Sequence, residues 1–172
     1  EWIRQVKEKR PDLAEFMDFI SITGLRLNEA IKSYNLIRKL SREGRLNSYY
    51  NEEKEALEHF RYEELFLRKG KKAFVSFVPK QFIRRISQNK NEITKDTVVM
   101  AVKRMGLKQR FSDLRELHGS ILTRYLSESE INFLHGRIGA SVFMQNYFNP
   151  VWINDLKERV FKGIKEIRTF IS

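Results

Sequence analysis

Apolar residues at Trp2, Ile3 and Val6 open the chain at helical spacing, and Leu13, Phe16, Met17 and Ile20 resume it after Pro11, a residue that favours a first helical turn. Thr23-Gly24 interrupts the pattern, and a second helix is predicted from near Leu25 to about Leu40. Ser41 to Tyr50 is polar, with Gly44 and Asn47, and reads as a loop, whereas the acidic run Glu52 to Glu58 reads as helical. The period then changes. Glu64-Leu65-Phe66-Leu67-Arg68 and Lys72-Ala73-Phe74-Val75-Ser76-Phe77-Val78 are aromatic and β-branched runs on either side of Lys69-Gly70-Lys71, which predicts a β-hairpin. Pro79 closes it and opens a basic helix from Lys80 to Ser87. Thr94 is placed to cap a helix that carries Val98, Val99, Ala101, Val102 and Met105 and stops at Gly106. Further helices are expected from Ser112 to about Tyr125, from Ser129 to His135 and, shorter, up to Tyr147. Pro150 starts the last one, with Val151, Ile153, Leu156, Val160, Phe161, Ile164 and Ile167 as its apolar stripe. The pattern predicts a mainly α fold with a small antiparallel β-sheet, an α+β arrangement without internal repeats.

Composition narrows the function. The 172 residues suffice for a single domain with a substantial core. Lys and Arg number 33 against 22 Asp and Glu, a net charge of +11, which is the footprint of a protein that sits on a polyanion and releases counterions as it binds. No apolar run approaches the ~20 residues that span a bilayer, and no secretion signal opens the chain, so nucleic acid is favoured over membrane and an intracellular protein is expected. The absence of cysteine excludes disulfides, thiolate metal sites and cysteine nucleophiles. His59, His118 and His135 are scattered without metal-ligand spacing, so no cofactor or metal is called for. The chain starts at Glu1 with an amphipathic pattern already running, and an excised part of a longer protein is expected, with further domains upstream.

Arginine is the residue to follow. Its guanidinium carries donors in a rigid fork and stays charged, so several converging on one pocket suit a phosphate whose charge grows during reaction. Thr23-Gly24-Leu25-Arg26-Leu27-Asn28-Glu29-Ala30 puts an arginine at a helix start just after a glycine, where side chain and helix end face one anion together. Asp113-Leu114-Arg115-Glu116-Leu117-His118-Gly119-Ser120 puts another into a helix whose small residues four and five positions later permit close packing. Leu134-His135-Gly136-Arg137 follows, ten residues before Tyr147, and Tyr147 lies 32 residues after Arg115. His135 reads as a packed or solvent-edge residue, His118 as one that packs or orients a neighbour, and His59 carries no signal.

These strings resemble the boxes of tyrosine recombinases, the integrase family. The first matches its first arginine box. The second is similar to the family's Leu-Arg-His-x-x-Ala-Thr pattern, with Gly119 and Ser120 replacing Ala and Thr, and the distance from Arg115 to Tyr147 is the family's spacing between second arginine and nucleophile. Leu134-His135-Gly136-Arg137 resembles the Leu-Gly-His string, with arginine where most members carry histidine. That variant, followed by Ser141-Val142-Phe143 and Tyr147, looks like the integrases of archaeal fusellovirus-type viruses and related plasmids.

The resemblance implies a tyrosine-recombinase catalytic-domain fold and DNA strand cleavage and rejoining through a 3′-phosphotyrosyl intermediate. Tyr147 would attack the scissile phosphate while Arg26, Arg115 and Arg137 bind its non-bridging oxygens. A lysine at the β-turn would protonate the leaving 5′ oxygen; Lys69, Lys71 and Lys72 compete, and counting back from Pro79 favours Lys71. Three residues before Arg115, where many members place His or Lys, this chain has Ser112, with Lys108 and Arg110 near enough in sequence to compensate. A homo-tetramer on two duplexes bearing attachment sites is implied as the working assembly. The last helix would dock on a neighbouring protomer or pack within its own chain. Two rivals stand beside this reading: a type IB topoisomerase-like enzyme that relaxes DNA with the same residues, and a non-catalytic basic helical DNA-binding module whose arginines only position phosphates.

Overall fold

A computed structural model describes residues 1–172 as ten helices and five short strands around one continuous core. Helix α1 (Trp2–Lys9) is amphipathic and buries Ile3 and Val6. A 3-10 turn at Pro11–Leu13 leads straight into α2 (Ala14–Thr23), where Phe16, Met17, Phe19, Ile20 and Ile22 are all at most 1% exposed. A helix apolar on all but the narrow side that carries Glu15 and Asp18 must be enclosed. It is enclosed by α1, by α3 (Leu27–Arg42), by α7 (Ser112–Leu122) and by α10 (Pro150–Ile171). On α3, buried Arg38 donates to the carbonyls of Asn89 (2.7 Å) and Lys90 (2.6 Å), which fixes the loop between α5 (Lys80–Gln88) and α6 (Lys95–Arg104).

Two expectations for the middle of the chain are corrected. Glu52 to Glu58 is not helical: β1 (Tyr50–Asn51) and β2 (Ala56–Leu57) pair antiparallel, Tyr50 with Leu57 and Asn51 with Ala56. The Asn51 carboxamide oxygen accepts the Lys54 amide at 3.1 Å, a local bond that competes with helix, while Tyr50, Ala56 and Leu57 are buried as strand partners. The predicted hairpin is also much shorter. Glu63–Phe66 forms α4, and only β3 (Leu67–Arg68) and β4 (Lys71–Lys72) pair across Lys69-Gly70. Ser76–Phe77, as β5, joins the other sheet, in the order β1-β2-β5. Every residue from Ala73 to Val78 is under 5% exposed, so this run threads the core and cannot lie on an open hairpin.

The remaining helices follow their capping signals. Thr94 accepts the Thr97 amide at 3.1 Å to start α6. Ser127 and Glu130 form a reciprocal box that starts α8 (Glu128–Leu134). Next comes α9 (Ala140–Tyr147), and Asn149 accepts the Trp152 amide at 3.2 Å to start α10. The α10 stripe, from Ile153 through Ile167, packs against α2 and α7 of its own chain, leaving Val151 81% exposed. No helix is long and apolar enough to cross a membrane.

Candidate active site

The turn between α2 and α3 supplies the first cation. Gly24 ends α2 in the left-handed region (φ +62°), and Arg26 takes the N-cap position of α3 in extended conformation. Glu29, one turn into α3 and 1% exposed, accepts both the Arg26 amide (3.2 Å) and its Nη1 (2.9 Å). The carboxylate thus fixes the arginine backbone and guanidinium together, leaving the latter one-third exposed at a helix N-terminus.

Arg115, in the first turn of α7, crosses to the same place. Its Nη1 donates to the Gly24 carbonyl at 2.8 Å and its Nη2 to the His135 carbonyl at 2.6 Å. Burial, together with the charges of Arg26 and Arg137, lowers its pKa to about 10, and Glu29 partly offsets them. It therefore stays charged at neutral pH, in a field that is cationic on balance. Arg137 lies exposed just beyond α8, its amide bonded to the Asn132 carbonyl at 2.9 Å. Three residues from three separate parts of the chain are thus brought together.

The β3–β4 hairpin adjoins them. Gly136 has φ +68°, and a Cβ there would lie 1.9 Å from the Lys72 carbonyl oxygen, so the hairpin backbone presses directly on the residue preceding Arg137. Only glycine permits that approach. Lys71 is exposed on this hairpin and Lys72 is half-buried.

Tyr147 is placed differently. Its ring is fully buried, stacked on Phe143 (5.1 Å between centroids) and edge-on to Phe60 (5.4 Å) and Phe148 (5.1 Å). Its hydroxyl donates to Glu58 at 2.5 Å, and Glu58, 3% exposed, is also bonded by Arg61 at 2.9 Å. Lys54 sits 4.1 Å from the centre of the phenol ring. Burial, then the bond to Glu58 and its charge, push the Tyr147 pKa well up, with Arg61 acting weakly the other way. The phenol is thus held in its protonated form, in a pocket governed by Glu58 and Arg61, and none of Arg26, Arg115 and Arg137 bonds its hydroxyl.

Several participants carried weak signals or none. Glu29 stands three residues after Arg26, a helical spacing that puts the two in reach. Glu58 lies 89 residues from Tyr147, with no local pattern to join them. His118 and His135 pair behind Arg115, Nδ1 to Nε2 at 2.9 Å. His59, unassigned from sequence, is buried in a polar chain with Tyr49 (2.6 Å) and Ser76 (2.8 Å). No cluster of three or more His, Asp or Glu side chains is placed to hold a metal ion.

Comparison with protein families gives a match to the family described as archaeal phage integrase, over residues 1–161 of the 172. Comparisons with curated proteins and with solved structures give no match.

Proposed function

From the premise that this chain belongs to the archaeal phage integrase family, whose work is site-specific recombination and integration of DNA, we propose that it cuts and rejoins DNA through Tyr147 as a tyrosine-type recombinase. The observation that carries this reading is the convergence of Arg26 and Arg137 on the clamped guanidinium of Arg115. A cluster with one internal carboxylate, Glu29, against three guanidiniums has donors left for a phosphate. Such donors act most strongly on charge that develops in the transition state.

In the proposed step the Tyr147 oxygen forms a bond to the scissile phosphorus and the bond to the 5′ oxygen breaks. The phenol proton passes to solvent water, and the leaving oxygen gains one from Lys71 on the adjoining hairpin. The arginines hold the non-bridging oxygens throughout. Because the phosphodiester is exchanged for a phosphotyrosyl ester, the 5′ hydroxyl of another strand reverses the step and joins DNA with no external energy source. The Tyr147 hydroxyl must first leave Glu58, so DNA binding or assembly is coupled to release of α9. The proposed working form is a homo-tetramer on two duplexes within the host cell.

Incubation with a nicked suicide duplex tests this. The expected result is a covalent protein–DNA adduct that maps to Tyr147 and is lost in Tyr147→Phe while DNA binding persists. Binding without any adduct from the unaltered protein would instead favour a non-catalytic DNA-binding module. Relaxation of supercoiled DNA without strand joining to a second duplex would favour a topoisomerase-like role.

A further inference from the structure

Arg115 has two protein acceptors, the carbonyls of Gly24 and His135, and both residues touch the ring of His118. A Cβ on Gly24 would lie 2.4 Å from His118 Nδ1 and 2.7 Å from its Cγ, so the glycine backbone rests on the imidazole face. On its other side, His118 is stacked on His135 with centroids 5.1 Å apart and planes 27° apart, and the two rings share the 2.9 Å bond. His118 stands three residues after Arg115 on α7, on the same face of that helix. One ring therefore spaces the two carbonyls that grip the guanidinium.

We propose that His118 and His135 are a positioning unit for Arg115, holding its guanidinium at one angle toward the phosphate. The proposal rests on the recombinase reading for its consequence in catalysis, though the clamp can be measured without it. A single shared N–H joins the rings, so one of the two facing nitrogens must stay unprotonated. The charged groups facing them, Arg115, Arg137 and Arg26, are all cations, and with burial as the larger cause they lower His118 to about 3 and His135 to about 2. The pair stays uncharged at working pH and transfers no proton. It contributes geometry.

Two measurements on the full chain test this. In single-turnover cleavage of a suicide duplex, His118→Phe, which keeps ring volume and loses the nitrogen, is expected to slow adduct formation about 10-fold or more with DNA affinity within about twofold, since misplacement by an ångström can cost that much. His118→Asn, whose amide atoms overlie the position of Nδ1, is expected to recover to within about threefold of the unaltered rate. The unaltered rate should show no inflection between about pH 5.5 and 8 that either substitution removes. An unchanged rate in His118→Phe, no recovery in His118→Asn, or such an inflection would overturn the proposal.

The second measurement uses nitrogen-15 resonances of the Arg115 guanidinium without DNA. Resolved, slowly exchanging Nη signals are expected in the unaltered protein and in His118→Asn, and averaged ones in His118→Phe. Averaged signals in the unaltered protein would refute the clamp even if His118→Phe fails to fold. Resolved signals together with no adduct would uphold the clamp and remove the recombinase reading instead.

Discussion

The bond between Tyr147 and Glu58 sets a barrier that can be moved by one atom. Glu58→Gln preserves shape and still offers an oxygen to the hydroxyl, but removes the charge from a 2.5 Å bond inside a fully buried aromatic pocket. A hydrogen bond to a charged group contributes about 1.5–3 kcal/mol net and a neutral one about 1, so the substitution weakens the hold on the phenol by roughly 1–2 kcal/mol. If release of the hydroxyl precedes attack, single-turnover adduct formation at saturating DNA should rise about 5- to 30-fold in Glu58→Gln. An independent optical check follows. Burial and Glu58 both keep Tyr147 protonated, so its phenolate absorption should emerge at lower pH in the variant than in the unaltered protein. The refuting outcome is a slower variant at saturating DNA with the tyrosine titration shifted as expected. Glu58 would then assist the attack, as acceptor of the phenol proton, and would not restrain it.

Other consequences follow from the same geometry. Arg115→Ala should lose roughly 3 kcal/mol or more of transition-state stabilisation, read as a 100-fold or greater fall in adduct rate, and Arg115→Lys should recover little because one ammonium cannot bridge two separated carbonyls as a fork does. Gly136→Ala combines a left-handed backbone with a Cβ 1.9 Å from the Lys72 carbonyl, and chemical denaturation should show a loss of about 2 kcal/mol or more; stability within about 0.5 kcal/mol of the unaltered protein would contradict the hairpin contact. His59, His118 and His135 are all held neutral by burial, their pKa values lowered to about 3, 3 and 2. The unfolded chain therefore binds protons that the folded one refuses, so stability is complete above about pH 6.5 and falls by roughly 1 kcal/mol per pH unit per histidine below it. A melting temperature that does not drop between pH 7 and pH 5 would contradict that burial.

The helical half of the fold was legible because its signals are local. Thr94, Ser127 and Asn149 cap where their side chains can reach an amide two or three residues ahead, and the α10 stripe needs only a 3.6-residue period. The strands were less legible for a physical reason. Ala73 to Val78 is buried on both faces, so it has no alternation to fix its partner, and its pairing with Ala56-Leu57 is decided by the core. Glu52 to Glu58 misled in the opposite direction. Its acidic composition suits a helix, yet Asn51 turns the chain locally and Leu57 is needed in the sheet.

The site divides along the same line. Arg26 and Arg137 stood out because each closely follows a glycine that admits a close neighbour, Gly24 against His118 and Gly136 against Lys72, and Arg115 because of its spacing from Tyr147. Such a constraint acts on residues adjacent in sequence, and so leaves a string that can be read. Glu58 is under no such constraint. It meets Tyr147 through the packing of α9 onto Phe60 and Phe74, at a point just past the β2 strand that no local pattern marks. The string around Tyr147 therefore marks it as the proposed nucleophile, whereas its resting place follows from the core. On the proposed reading, an aromatic pocket that holds the phenol protonated keeps it unreactive until its hydroxyl leaves Glu58. Three arginines without enough carboxylate to neutralise them are, on the same reading, already in place for a phosphate. On the recombinase reading, the arginines are the half of the site that binds and Tyr147 the half that reacts, and release of its hydroxyl from Glu58 is the step on which control of cleavage turns.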